Sequence, residues 1–225
     1  MSFPKFKIIR SRAAKNKGGE AALNDLMPKN KSRSQLKKLG DDRYLAEMTK
    51  RIFCSGFVWR VIENKWPNFE DAFVGFDPSI IAAWPDEHFD VLMKDASIVR
   101  NYRKIASVRE NAWFILDEQK EHGSFGKLIA DWPEADIIGL WAHLKKHGNR
   151  LGGNSGPYFL RFTGKDTFLL SQDVCACLVN HAVIDKHNPT SQRDLRKVQD
   201  CFNAWQDETG LPLAHLSRIA ACSVG

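Results

Sequence analysis

The sequence predicts an all-α fold, and three observations carry that reading. From Gly40 onward apolar residues recur at three- and four-residue spacing. No stretch of six or more residues alternates cleanly between apolar and polar, so strands are minor or absent. Helix-opening and helix-closing residues bracket one segment after another. The 225 residues, 43% of them hydrophobic, are enough for about ten short helices in one compact two-lobed domain.

Residues 1–40 lack periodicity and are rich in Lys, Asn, Gly and Ser; they read as a basic arm, partly disordered or holding a short helix. The arm has 11 Lys and Arg against 2 Asp and Glu, and the other 185 residues have 22 against 25. A basic arm on a slightly acidic body fits a polyanionic partner, or a solvated tail that only aids solubility. The helical domain is expected over 41–225. Its first helix, in "DDRYLAEMTKRIFCSGF", takes Asp41 or Asp42 as N-cap and sets Leu45, Met48 and Ile52 on one face. "WRVIENKWPNFEDAF" holds a helix ended by Pro67 and a further turn after Asn68. "DPSIIAAW" and "PDEHFDVLMKDA" open on proline, which suits a first helical turn.

The longest helix lies in "NYRKIASVRENAWFILDEQKEHG", with Ile105, Val108, Ala112 and Ile115 on one face and Gly123 closing it. "SFGKLIADW", "PEADIIGLWAHLKKHG", "SQDVCACLVNHAV", "SQRDLRKVQDCFNAWQDETG" and "LPLAHLSRIAACSVG" follow as further helices. Phe202 and Trp205, at helical spacing, are expected in the core. No stretch approaches the roughly 18 consecutive apolar residues of a membrane helix. The N-terminus has no apolar signal core, so a cytoplasmic location is expected, nucleoid-associated in a bacterium. The five cysteines are odd in number and sit mostly in apolar runs, as reduced thiols do. Cys175-x-Cys177 lacks a second close Cys/His pair, and His181 and His187 sit in a polar stretch; neither is read as a metal site.

"RLGGNSGPYFLR", residues 150–161, breaks the helical pattern. A lysine-rich helix, a glycine turn and a helix opened by Pro157 make a helix–hairpin–helix at about 134–163. Gly152, Gly153 and Gly156 allow backbone conformations with φ > 0 and leave no Cβ between backbone and ligand. The second helix then presents unpaired N–H groups to a phosphate. Arg150, Gly152, Gly153, Asn154, Ser155, Gly156 and Lys165 are the expected DNA-binding residues, with Lys145, Lys146 and Arg161 adding charge. Such a device holds a DNA backbone without reading sequence. An ordinary αα-turn with a glycine cap fits the same pattern.

A second set of residues resembles the 3-methyladenine DNA glycosylase I family of the helix–hairpin–helix glycosylase superfamily. It comprises Gly56-x-x-Trp59, the N-x-x-x-x-F-x-x-F-D-P run from Asn68 to Pro78, and "DASIVRNYRKI", which matches the family run at Asp95, Ala96, Ile98, Arg100, Lys104 and Ile105. The resemblance covers residues 41–180. It implies an enzyme that flips a damaged base out of DNA into an apolar, aromatic pocket and hydrolyses its N-glycosidic bond. Trp59 lies at the family's pocket tryptophan, where a cationic base would stack, and Phe53 is expected beside it as a base-binding residue.

The sequence also departs from that family. Where the family carries a pocket glutamate this chain reads Lys50-Arg51-Ile52-Phe53-Cys54, and an arginine there repels a cationic base unless it points away. Residues 1–40 hold neither Cys nor His, and the family's C-terminal zinc partners align as Asp173 and Cys177, so no metal is expected and no cofactor. Other superfamily branches place a catalytic aspartate at the start of the helix after the hairpin. "GKDTFLLSQDVCACL" resembles that region through Lys165, Asp166 and Phe168; Ser171 stands in direct register, and Asp173 is the nearest acid. A helix N-terminus favours an anionic side chain. Asp173 is therefore the expected catalytic acid, with a capping role as its alternative; Glu47 and Glu63 read as surface charges. Residues 151–161 contain no lysine, so no lyase step is expected. The expected function is a monofunctional glycosylase acting on alkylated purines in double-stranded DNA, as a monomer. The rival is a DNA-binding module that kept the fold and lost the chemistry.

Overall fold

The computed structural model describes residues 3–224. Among these the chain is all-α, with fourteen α-helices and two 3-10 turns, at Val74–Phe76 and Glu134–Asp136, and no strand. The helices are α1 (Phe6–Lys17), α2 (Glu20–Asp25), α3 (Arg33–Lys38), α4 (Asp41–Cys54), α5 (Trp59–Ala72), α6 (Pro78–Ala82) and α7 (Asp86–Leu92). They continue with α8 (Tyr102–His122), α9 (Phe125–Asp131), α10 (Ile137–His147), α11 (Ser155–Thr163), α12 (Gln172–Asn180), α13 (Gln192–Thr209) and α14 (Leu213–Cys222). None of them is long and apolar enough to cross a membrane.

The count exceeds ten mainly because residues 6–38 hold three helices where a basic arm was expected. Phe6, Ile9 and Ala13 of α1 form a stripe hidden among lysines, and all three are buried. The start of α3 is a capping box: Ser32 Oγ accepts from Gln35 N at 3.2 Å, and Ser32 N donates to Gln35 Oε1 at 2.8 Å. Asp41 is not an N-cap of α4. Gly40 holds that place, and the Asp41 carboxylate accepts from Phe125 N at 3.2 Å, ahead of α9. Pro67 does not end α5 but lies inside it. The carbonyl of Glu63 loses its helical partner there, and because both residues are exposed, water can replace it.

The chain divides into two compact units. One comprises residues 1–30, 133–140 and 166–225; the other comprises 31–132 and 141–165, so that α10 is divided after Leu140. In the first unit α14 packs on α1, α12 and α13. Phe6 meets Trp205 at 5.1 Å, Phe168 stacks on Phe202 at 4.4 Å, and Trp205 Nε1 donates to Pro4 O at 2.9 Å. Phe202 and Trp205 are thus core residues. Cys175 and Cys177 are buried as well, and burial pushes both thiols up, Cys175 to about 11. In the second unit α8 supports α4, α6, α7 and α9. Its Asn101 cap accepts from Lys104 N at 3.2 Å, and Ile105, Val108, Ala112 and Ile115 are buried along one face. A stacked run of Trp66, Phe69, Phe73 and Phe76 fills the space beneath α5.

Candidate nucleic-acid site

The turn of the hairpin, residues 148–154, and the whole of α11 belong to the second unit. Beyond α10 the chain turns through Arg150, at φ +60°, and Gly153, at φ +58°, before α11 begins. A left-handed conformation is costly for arginine and free for glycine. Gly156 is required for a different reason: its N–H donates to Leu151 O at 3.1 Å, and a Cβ there would lie 2.5 Å from that oxygen.

Asn111 of α8 fixes the turn from behind. It is fully buried; its Oδ1 accepts from Asn149 N at 2.8 Å, and its Nδ2 donates to Asn149 O at 3.1 Å. The Asn149 side chain in turn binds the Glu110 carboxylate, and Arg150 Nε donates to Arg103 O at 3.4 Å. The exposed Gly153 and Asn154 carry N–H groups with no acceptor among the described residues. These two donors stand next to Arg150, Gly152 and Ser155 at the start of α11, where free N–H groups suit an anion.

Of the expected DNA-binding residues, Arg150, Gly152, Gly153, Asn154 and Ser155 come together at this turn. Gly156 is buried and serves packing. Lys165 is a correction: it is 3% exposed, and its Nζ donates to Trp132 O at 2.8 Å, so it faces the interior.

Trp59, the expected base-binding residue, lies where α5 meets α4 and α11. Trp59 opens α5 and is 37% exposed. It packs edge-on against Tyr158 at 5.5 Å and Phe162 at 5.7 Å, two rings one turn apart on α11. Phe57, Val58 and Val61 around it are exposed. Lys104 secures the turn before Trp59, its Nζ donating to Phe53 O at 3.1 Å and to Ser55 O at 2.6 Å. Burial and the nearby Arg150 charge push the Lys104 pKa down. Phe53 itself is fully buried against Phe69 at 4.7 Å, so the expectation that it binds a base is corrected: it belongs to the core.

Arg51 packs on the rings of Trp59 and Phe162. Its guanidinium lies 5.0 Å from the Trp59 ring centroid and 4.0 Å from that of Phe162, with the residue 4% exposed. Arg51 Nε lies 2.6 Å from Glu47 Oε1, one helical turn back. Glu47 is therefore not a surface charge. Burial pushes its carboxyl up, and Arg51 offsets part of that rise. Glu63 is exposed on α5.

Asp173 is exposed in the first turn of α12 in the first unit. The cap of that helix is Ser171, whose Oγ accepts from Val174 N at 3.3 Å. Asp166 is taken up structurally: its carboxylate accepts from Leu213 N at 2.9 Å, from Ala214 N at 2.8 Å and from Asn30 Nδ2 at 2.8 Å. Among the described residues, Glu118, Glu121 and His122 bring potential ligand atoms within 4.8 Å of one another. Buried Glu118 is already engaged by His143 at 2.7 Å. Sequence reasoning missed Asn111, Tyr158 and Phe162; the four-residue spacing of the last two was the available signal.

Solved structures resemble this chain. The 3-methyladenine DNA glycosylase I of Staphylococcus aureus is 23% identical, covering 69% of this chain and 91% of its own, with a TM-score of 0.47. The 8-oxoguanine DNA glycosylase of Methanocaldococcus jannaschii is 14% identical and covers 94% of this chain and 91% of its own, with a TM-score of 0.59. The glycosylase/lyase from the same organism, in complex with a 15mer DNA containing 8-oxoguanine, is 14% identical over 94% and 95%, with a TM-score of 0.53. The two last likenesses share the all-α fold over nearly the whole chain. The sequence pattern of the methyladenine glycosylase family matches residues 36–149, a stretch that includes α4, α5 and α8 and half of the 225 residues. The chain belongs to the methyladenine glycosylase family.

Proposed function

We propose that this chain is a base-excision repair glycosylase that flips an alkylated purine out of double-stranded DNA and hydrolyses its N-glycosidic bond. One observation carries the reading: α11 begins at the turn that offers Gly153 and Asn154 to a phosphate, and its Tyr158 and Phe162 pack on Trp59. A single rigid helix thus joins the backbone-gripping turn to the base-receiving wall. Phosphate capture fixes the register of the duplex, and a flipped base stacks on the exposed part of Trp59. Breaking the bond leaves an oxocarbenium-like sugar that a carboxylate stabilises. Asp173 is the acid proposed for that role, and no lyase step is proposed. The chain acts as a monomer, in the cytoplasm or on the nucleoid of a bacterial cell.

A second reading, a DNA-binding module without chemistry, is favoured by the pairing of Glu47 with Arg51, which ties up the carboxylate that α4 carries in this region. Release of free base from methylated duplex DNA, followed by chromatography for wild type and Asp173→Asn, separates the two. Release by wild type alone supports the enzyme and its acid. Release by both keeps the enzyme and discards Asp173. Release by neither, with DNA affinity retained and no release from duplexes carrying uncharged base lesions, favours the binding module.

A further inference from the structure

Arg51 is buried between two aromatic rings, and its hydrogen-bonding needs are incompletely met. Nε pairs with Glu47, but Nη1 is shielded from water and has no acceptor among the described residues. A buried donor without an acceptor bears its full desolvation cost, and more so on a charged group. An acceptor brought by a ligand to the wall formed by Trp59 and Phe162 would meet that need if a ring of that wall shifts to expose Nη1.

The same geometry bears on charge. The guanidinium already occupies ring faces of Trp59 and Phe162, at 5.0 and 4.0 Å from their centroids. The attraction those rings would offer a cationic base is therefore partly spent. A second positive charge nearby is also repelled, strongly where water is excluded.

We propose that Arg51 sets the base selectivity of this site, admitting an uncharged purine that presents a carbonyl oxygen or unprotonated ring nitrogen and rejecting a purine made cationic by ring alkylation. The proposal rests on the glycosylase reading for bond cleavage and replaces the cationic alkylpurines of its substrate class with uncharged purine lesions. In the reaction the bond from C1′ to N9 breaks with its electron pair staying on the purine. Water oxygen bonds to C1′, and the proton lost from that water ends on the purine. An uncharged purine leaves less readily than a cationic one. A hydrogen bond from Arg51 Nη1 to its acceptor counters the negative charge that builds on the base.

The test uses full-length protein and duplexes that each carry one lesion: 7-methylguanine as the cationic base, 1,N6-ethenoadenine and hypoxanthine as the uncharged ones. Base release and affinity relative to undamaged duplex are read for each. Wild type is expected to favour the uncharged lesions by about ten-fold or more, and Arg51→Gln to erase that preference. Glu47→Gln, which keeps the guanidinium, is expected to retain it. Wild type favouring 7-methylguanine, or Arg51→Gln keeping the wild-type preference, overturns the proposal. If Arg51→Gln does not fold, the double variant Glu47→Gln/Arg51→Met, which buries no charge, takes its place under the same criteria. If no base is released from any duplex, the glycosylase reading fails, and the affinity ratios alone decide the role of Arg51.

Discussion

Asn111, itself fully buried, spends both ends of its amide on the backbone of half-buried Asn149. Asn111→Ala leaves the N–H and C=O of half-buried Asn149 without these partners, and is expected to lower unfolding stability by about 1–2 kcal/mol in urea titration. It is also expected to weaken duplex affinity, because Arg150 and Gly153 lose their support. Glu47 makes a prediction in pH. Its folded pKa is raised by burial, so the stability it contributes is full below the unfolded value of about 4.3 and is lost as pH rises through the folded value. The stability of wild type relative to Glu47→Gln should therefore fall as pH rises above the unfolded value; a constant difference in paired melts would contradict this. At this scale Trp59 was legible because a G-x-x-W pattern marks it. The packing of Arg51 was not: spacing puts Glu47 and Arg51 on one face of α4, but only tertiary structure brings Phe162 to that face.

Among the helices, α8 was readable from end to end, since a long apolar stripe, an Asn cap and a closing glycine all agree. Helices α1 and α3 were not, because short stripes among lysines fall below what periodicity resolves. Pro67 misled for a physical reason: a proline costs a helix one bond, and the burial of Ile62 and Phe69 on either side holds α5 together across it. The start of α14 depends on a cap distant in sequence, the Asp166 carboxylate on Leu213 N and Ala214 N. Asp166→Ala is expected to cost about 1–2 kcal/mol. Hydrogen exchange should show the Leu213 and Ala214 amides losing protection ahead of those in α8, and equal loss throughout would argue against a local cap.

For the molecule as a whole, charge sets the expected partner. The first 40 residues hold all of the net excess of Lys and Arg, the rest of the chain being slightly acidic, yet several of these are engaged. Arg10 pairs with Glu20, and Lys37 and Arg33 hold the Asp131 carboxyl down to about 2. Duplex affinity is expected to fall about ten-fold or more between 50 and 200 mM salt, as it does when several phosphates are neutralised. A flat salt dependence by fluorescence anisotropy would point to another kind of partner. The all-α class was legible from periodicity; which segments make up the two units was not, since residues 1–30 and 166–225 join across the length of the chain. The central claim is that Trp59 receives a base from DNA, and single-turnover release of free base from lesion duplexes tests it most directly. Wild type should release base, and Trp59→Ala should do so at least about ten-fold more slowly with unchanged affinity for undamaged duplex. Equal release by both proteins, or no release by wild type from any lesion, would contradict it.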